Sequence, residues 1–122
     1  MRTFERKADW GNKTITASVL VLDNGIRVDL YGGDLSHIGA VSAVSCEKEL
    51  ETVVFPGHRE AVLTESWAEA INRQTGLPVV VTAGIHYDGV NGKEIADIVK
   101  ITERMRKEVL KRIMLWLWYS NP

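Results

Sequence analysis

The sequence predicts an α+β domain in which a mostly antiparallel sheet packs with two helices, in the order β-β-β-β-α-β-α. Three observations support this fold class. Apolar and polar residues alternate on both sides of an Asn-Gly turn, two later segments repeat apolar residues every three or four positions, and an apolar run separates those segments. The 122 residues contain no repeat and no linker, so we expect a single domain over residues 1–122.

The first two predicted strands form a hairpin. Apolar residues alternate with threonine and serine from Lys13 to Leu22, and a second alternating run follows from Ile26 to Tyr31. Asn24-Gly25 lies between the runs, and this dipeptide tolerates the positive φ angles of a two-residue turn. The two runs should therefore pair in antiparallel fashion.

Two short strands and a helix are predicted next. The strands lie over Ala40–Cys46 and Thr52–Phe55, and Pro56-Gly57 ends the second of them. Cys46 is the one cysteine, which excludes an internal disulfide, and it should be an inert buried residue. The spacing of apolar residues predicts a helix over Glu60–Gln74 that stops at the following Thr-Gly.

The remaining elements are a strand and a long helix. Leu77–Ile85 is apolar at nearly every position, which is typical of a central strand with both faces covered. The last helix has Asn91 as its predicted N-cap, and Glu94 occupies the capping-box position. Its apolar stripe extends to Trp116, and acids precede bases along it, as the helix dipole favours.

Composition argues against several classes of function. Fifteen Lys and Arg against sixteen Asp and Glu give a net charge of −1, so no overall basic field exists to hold nucleic acid or an anionic membrane. The first ten residues lack the apolar core of a signal peptide, and no apolar run approaches the roughly 20 residues that span a bilayer. The sequence therefore predicts a soluble, cytoplasmic protein.

All three histidines lie in predicted loops that also hold glycine and an acid. They are His37 in GGDLSHIG, His58 in PGHRE and His86 in GIHYDG. If these loops meet at one end of the sheet, they form a cleft lined by imidazoles, carboxylates and exposed N–H groups. Purely structural roles are also possible for these loop residues, because Asp34 is suited to capping a turn and Pro56-Gly57 to ending a strand.

The sequence leaves the ligand of such a cleft open between a metal and an anion. Three histidines suffice for zinc, but no HxH or HxxxH pair is present, so the ligands would come from three segments. The loop Gly84–Gly92 enters a helix with Lys93 just inside it, which favours a phosphate or carboxylate. The patterns GxxxxGK[ST] and GxGxxG do not occur, which excludes a P-loop and disfavours a Rossmann dinucleotide site.

The last residues are a candidate contact surface. Trp116, Trp118 and Tyr119 are too closely spaced to share one helix face, so part of this aromatic surface should be exposed. From Lys100 to Arg112, six bases stand against two acids. Two interpretations remain open: a solvated basic face with one packed tryptophan, or a contact surface for a second copy or a partner.

Taken together and in this order, the motifs GGDLSHIGAVS, FPGHRE and VVVTAGIHYDG resemble the small prenylated-flavin chaperones. These are the D-subunit-like proteins that accompany gallate and 4-hydroxybenzoate decarboxylases. The resemblance covers about residues 13–103 and leaves residues 104–122 as a helical C-terminal extension. It implies a fold similar to that of proteasome assembly chaperones, and a non-catalytic or maturation role beside a decarboxylase that uses prenylated FMN.

The resemblance further implies that the chain binds prenylated FMN transiently, associates with a decarboxylase catalytic subunit and forms a homo-oligomer. It implies no catalytic residue and no metal ligand. Matching the motifs residue by residue, with the loop lysine added, assigns twelve residues to the cofactor: Gly32, Gly33, Asp34, His37, Gly39, Gly57, His58, Glu60, Gly84, His86, Asp88 and Lys93. Two alternatives stay open: a small enzyme that uses the histidine–acid cluster on an anionic substrate, with or without a metal, and a structural assembly subunit.

Overall fold

Six strands form one sheet, and two helices pack against one of its faces. The computed structural model describes residues 1–56 and 60–120. In chain order the elements are β1 (Arg2–Trp10), β2 (Lys13–Leu22), β3 (Gly25–Gly33), β4 (Ala40–Val44), β5 (Leu50–Val54), α1 (Ala61–Thr75), β6 (Val79–His86) and α2 (Gly92–Ser120).

The strand order across the sheet is β1-β2-β3-β6-β4-β5. β3 pairs with β6 in parallel, and the other neighbouring strands of the described chain pair antiparallel. The predicted α+β class with a mostly antiparallel sheet and two helices is therefore confirmed. The predicted antiparallel hairpin of β2 and β3 is present, with Leu22 opposite Gly25. Its two turn residues are Asp23 and Asn24, so the turn lies one residue before the predicted Asn24-Gly25, and neither Asn24 nor Gly25 adopts a positive φ.

β1 is an additional strand that the predicted order does not contain. It runs antiparallel to β2, from Arg2 opposite Val21 to Trp10 opposite Lys13. Phe4 lies on the side of the sheet that faces the helices and is buried. Arg6 lies on the same side and forms an ion pair with Glu108 of α2. Because this core-facing position holds a charged residue, the alternation of apolar and polar residues is interrupted, and the sequence pattern did not predict the strand.

One face of the sheet and one stripe of each helix make the core. Alternate residues of the strands are fully buried, as at Val19 in β2 and Val81 in β6, and the α1 residues Trp67 and Ile71 pack into the same cluster. Since both helices lie on this side, the other face of β6 is uncovered and Val80 is exposed. The expectation of a strand covered on both faces was wrong for this reason.

The predicted helix ends are confirmed at two places. Gly76 ends α1 with a φ of 71°, and its N–H donates to the carbonyl oxygen of Asn72 at 2.7 Å. At the start of α2, the N–H of Glu94 donates to Oδ1 of Asn91 at 2.9 Å, and the N–H of Asn91 donates to Oε1 of Glu94 at 3.2 Å. The capping box therefore forms as predicted.

Cys46 is exposed, whereas a buried position within a strand was expected. The reason is that β4 ends at Val44, two residues earlier than predicted, so that Cys46 falls in the turn that leads to β5.

The connection from β3 to β4 determines the shape of one edge of the sheet. β6 lies between these two strands, so residues 34–39 must pass across its end. The crossing chain lies against Gly84, where a β-carbon would overlap the carbonyl group of His37. Gly33 begins the crossing with a φ of 83°, and the next N–H, that of Asp34, donates to the carbonyl oxygen of His86 at 2.6 Å.

α2 contributes to the core for much of its length. Met105, Val109 and Ile113 are fully buried, and beyond them the ring of Trp116 contacts Phe4 edge-to-face, with centroids 4.9 Å apart. Arg112 lies over the Phe4 ring at 4.5 Å. No helix within the described ranges is both long and apolar enough to cross a membrane.

We predict that Gly84→Ala lowers the free energy of unfolding by about 3 kcal/mol or more, because the added methyl group must displace the backbone of the crossing chain. Gly92→Ala is the matched control, since a β-carbon there meets nothing within 4 Å, and we expect a change within about 0.5 kcal/mol. Urea unfolding followed by circular dichroism measures both. Equal stability of the two variants would contradict the crossing contact.

We also predict that Trp116→Ala destabilises the fold by about 2 kcal/mol, because it removes a half-buried ring from Phe4. Trp118→Ala should change stability by less than about 0.5 kcal/mol, because that ring is exposed. The same unfolding measurement compares the two. A large loss for Trp118→Ala would show that the end of α2 packs on its own domain.

Candidate functional site

The candidate site lies at the edge of the sheet where β3 and β6 end. These two strands are parallel, so their carboxyl ends meet at the same edge, which is a common position for ligand sites in sheets. Asp34 directly follows β3, and His86 is the last residue of β6. The crossing chain is held there because the N–H of Gly39 donates to the carbonyl oxygen of Ala83 at 2.8 Å.

A buried histidine–carboxylate pair forms the inner part of the site. Nε2 of His37 lies 2.9 Å from Oε1 of Glu60, and the two side chains are only 15% and 10% exposed. Nδ1 of His37 lies 3.3 Å from the carbonyl oxygen of Leu35. Both neighbouring atoms are acceptors, so each contact needs a ring N–H as its donor; a neutral imidazole has one and an imidazolium has two.

The backbone fixes the carboxylate of this pair. Glu60 directly precedes α1, and its carbonyl oxygen accepts the N–H groups of Leu63 and Thr64 at 3.0 Å each. Its side chain fills the space next to Gly39, where a β-carbon would overlap the carboxylate. A larger residue at position 39 would therefore have to displace the Glu60 carboxylate.

A second histidine–carboxylate pair forms the outer part. Nε2 of His86 lies 2.8 Å from Oδ1 of Asp88, and the side chains are 47% and 82% exposed. The N–H of Asp88 donates to Oδ2 of Asp34 at 2.9 Å, which ties the loop after β6 to the loop after β3. Nζ of Lys13 lies 3.9 Å from the other oxygen of Asp34.

The two pairs face each other. The ring centroids of His37 and His86 are 6.1 Å apart, and the ring planes are inclined by 75°. Within the described chain, no hydrogen bond engages Nδ1 of His86, so this nitrogen of the exposed ring is available to a ligand. The inner pair is fixed by its contacts, whereas the outer pair is accessible.

Two aromatic residues close the core beneath this edge. Tyr87 follows His86 in sequence but is buried, and its ring contacts Trp10 edge-to-face with centroids 5.0 Å apart. Burial raises the pKa of the Tyr87 phenol, and the carboxylates of Asp34 and Asp9 raise it further. Its hydroxyl group, which has no hydrogen-bond partner within the described residues, therefore stays protonated at physiological pH.

The predicted site residues fall into three groups. The structure brings His37, Glu60, His86, Asp88 and Asp34 together as side chains. Gly33, Gly39 and Gly84 allow the close backbone approaches that build the edge, while Gly32 lies against the carbonyl group of Thr14 within the sheet. Lys93 is exposed in the first turn of α2, and no hydrogen bond or ion pair of the described chain joins it to the histidines. Gly57 and His58 lie outside the described residues.

Lys13 was not predicted to belong to the site. It begins β2, and sequence alone gives no signal that this end of the hairpin lies beside the loop after β3. The pairing of Ile15 with Gly32 brings the two segments together. In the described part of the chain, no cluster of three or more histidine, cysteine or carboxylate side chains has the geometry to hold a metal ion.

Comparison with known proteins gives one relative by sequence and one solved structure with a similar fold. The protein LpdD of Lactiplantibacillus plantarum is 26% identical over 99 residues, which cover 77% of this chain and 73% of that protein. A chain in the crystal structure of a chaperone complex for yeast 20S proteasome assembly has a TM-score of 0.54 at 14% identity, covering 91% of this chain and 95% of that one. The structural likeness concerns the fold alone, and it confirms the predicted similarity to proteasome assembly chaperones.

The family comparison covers more of the chain than the motifs did. Residues 9–114 match the family described as the prenylated flavin chaperone LpdD-like domain, a range that runs from the end of β1 to the last buried turn of α2. The match includes all three histidine motifs and extends beyond residue 103. The chain therefore belongs to the family of LpdD-like prenylated flavin chaperones.

Proposed function

We propose that this protein binds prenylated FMN transiently and delivers it to, or matures it for, an aromatic-acid decarboxylase in the cytoplasm. The observation that carries the proposal is the pair of facing histidine–carboxylate pairs at the ends of β3 and β6, in a chain of the prenylated flavin chaperone family. Bound flavin would supply a conjugated ring system for the partner enzyme's chemistry. The residues described here would hold and orient that ring.

The chemistry of the site suits the polar edge of a flavin ring better than a phosphate. The ring edge offers both N–H donors and carbonyl acceptors, and the site offers the carboxylates of Asp34 and Asp88 as acceptors and Lys13 as a donor. Nδ1 of His86, whose Nε2 is used by Asp88, accepts in the neutral ring and donates in the imidazolium. A phosphate dianion placed here would face those carboxylates and be repelled. The helix N-terminus is also less suited to an anion, because the carboxylate of Glu94 already lies there.

The arrangement favours binding over catalysis. Nε2 of His37 lies against the buried Glu60 carboxylate and Nδ1 faces the carbonyl oxygen of Leu35, so the inner pair is less accessible to a ligand than the outer pair. His86 and Asp88 are accessible, and we propose them as the residues that contact the flavin. The exposed Cys46 lies in the turn between β4 and β5, at the end of β4 away from the site.

The test is retention of the cofactor under anaerobic conditions. Wild-type protein mixed with reduced prenylated FMN should carry flavin through gel filtration, and His86→Ala or Asp88→Asn should bind it about 10- to 100-fold more weakly. The first change removes the imidazole, and the second replaces a charged acceptor oxygen with an amide donor. Asp23→Asn is the matched control, because this exposed acid lies in the turn between β2 and β3, at the opposite end of the sheet.

Two results would contradict the proposal. One is a wild-type protein that retains neither oxidised nor reduced prenylated FMN. The other is equal flavin affinity in Asp88→Asn, Asp23→Asn and the wild type, which would place the binding site away from the outer histidine pair.

A further inference from the structure

The outer face of α2 carries a row of cations. Lys100, Arg104, Lys107 and Lys111 follow one another at spacings of four, three and four residues, so they lie on one side of the helix, opposite the buried stripe. All four are exposed. At 1.5 Å per residue the row is about 16 Å long.

These cations form no ion pair with the part of their own domain that the structure describes, although the exposed Glu103 lies next to Arg104 on the same helix. Within residues 1–56 and 60–120, no hydrogen bond or ion pair engages any of the four. Neighbouring polar groups of α2 are instead used internally, since Glu108 pairs with Arg6 and Arg106 donates to Ser66 at 2.6 Å. The chain as a whole has a net charge of −1, so the row is a local feature.

An exposed apolar end continues the same side of the helix. Leu115 and Trp118 extend the row by about two more turns, and Tyr119 lies beside them. Trp118 and Tyr119 are each 77% exposed, whereas Trp116, two residues before Trp118, packs on Phe4. Tryptophan, tyrosine and arginine are the residues that most often dominate binding energy at protein interfaces.

The charge of this surface identifies the kind of partner. A symmetric contact with a second copy would place the row of cations against itself, and like charges repel. Insertion into a membrane would need the apolar stripe of α2, which is buried in the core. A protein surface that presents carboxylates beside an apolar pocket satisfies both the cations and the aromatic end.

We infer that this surface of α2, formed by Lys100, Arg104, Lys107, Lys111, Leu115, Trp118 and Tyr119, docks on an acidic surface of the decarboxylase catalytic subunit. This inference rests on the proposed function for the identity of the partner, but it uses none of the flavin-site residues. The site edge and the end of α2 are separate, so cofactor and partner can be bound at the same time.

The test measures binding of the full chain to the purified catalytic subunit of the decarboxylase from the same organism, by sedimentation velocity and titration. Lys107→Glu with Lys111→Glu should weaken binding about 10- to 100-fold, and Trp118→Ala about 30-fold or more. Lys7→Glu with Lys48→Glu is the control, because it makes the same charge change at exposed lysines away from α2. Flavin retention should be unchanged in every variant.

Several outcomes would overturn the inference. If the α2 variants bind the subunit as tightly as wild type, the docking surface is elsewhere although the proposed function stands. If wild type retains flavin but does not bind the subunit, the decarboxylase is not the partner. Binding of the wild type to phosphatidylglycerol vesicles or to duplex DNA would instead make a membrane or a nucleic acid the partner of this surface. Self-association that Trp118→Ala abolishes would make a second copy of the chain the partner.

Discussion

The contact between the backbone of His37 and Gly84 is the constraint on which the candidate site depends. Because β6 lies between β3 and β4, the chain that joins those two strands has to cross the end of β6. The crossing chain can lie close to β6 only because position 84 is a glycine and has no β-carbon. At this distance the N–H of Gly39 donates to the carbonyl oxygen of Ala83. This crossing places His37 opposite His86.

The two histidine–carboxylate pairs have different roles as a result. The side chains of the inner pair are largely buried, and the pair is connected to the start of α1 through the backbone of Glu60. The outer pair is exposed and is connected to β3 through the bond between Asp88 and Asp34. A rigid inner histidine beneath an accessible outer one is an arrangement suited to holding a ligand temporarily, since few polar groups contact it and release requires no rearrangement of the core.

Local patterns predicted the elements whose stability is local. The hairpin, the glycine end of α1 and the capping box of α2 depend on residues close in sequence, and each is present. β1 was not predicted because its core-facing side includes Arg6, whose charge is neutralised by a residue about 100 positions away. The exposure of one face of β6 was not predicted for a similar reason. Val80 is apolar, and nothing in the neighbouring sequence indicates that both helices pack on the opposite face.

The sequence indicated which residue types form the site, but it did not predict how those side chains are arranged. Glycine-rich loops with histidine and an acid indicated which residues to consider, and two of the three histidines do meet. The pairing of each histidine with its own carboxylate, and the presence of Lys13 beside Asp34, follow from the register of β2, β3 and β6. Register is a property of the whole sheet, so a motif within one loop does not reveal it.

The central claim is that the flavin contacts the edge where His37 and His86 face each other. The most direct measurement is NMR of the protein with isotope-labelled histidine side chains, titrated anaerobically with reduced prenylated FMN. We expect the imidazole signals of His86 to shift strongly and those of His37 to shift less, both saturating together with flavin binding. Saturable binding of flavin that leaves the signals of both histidines unchanged would contradict the claim.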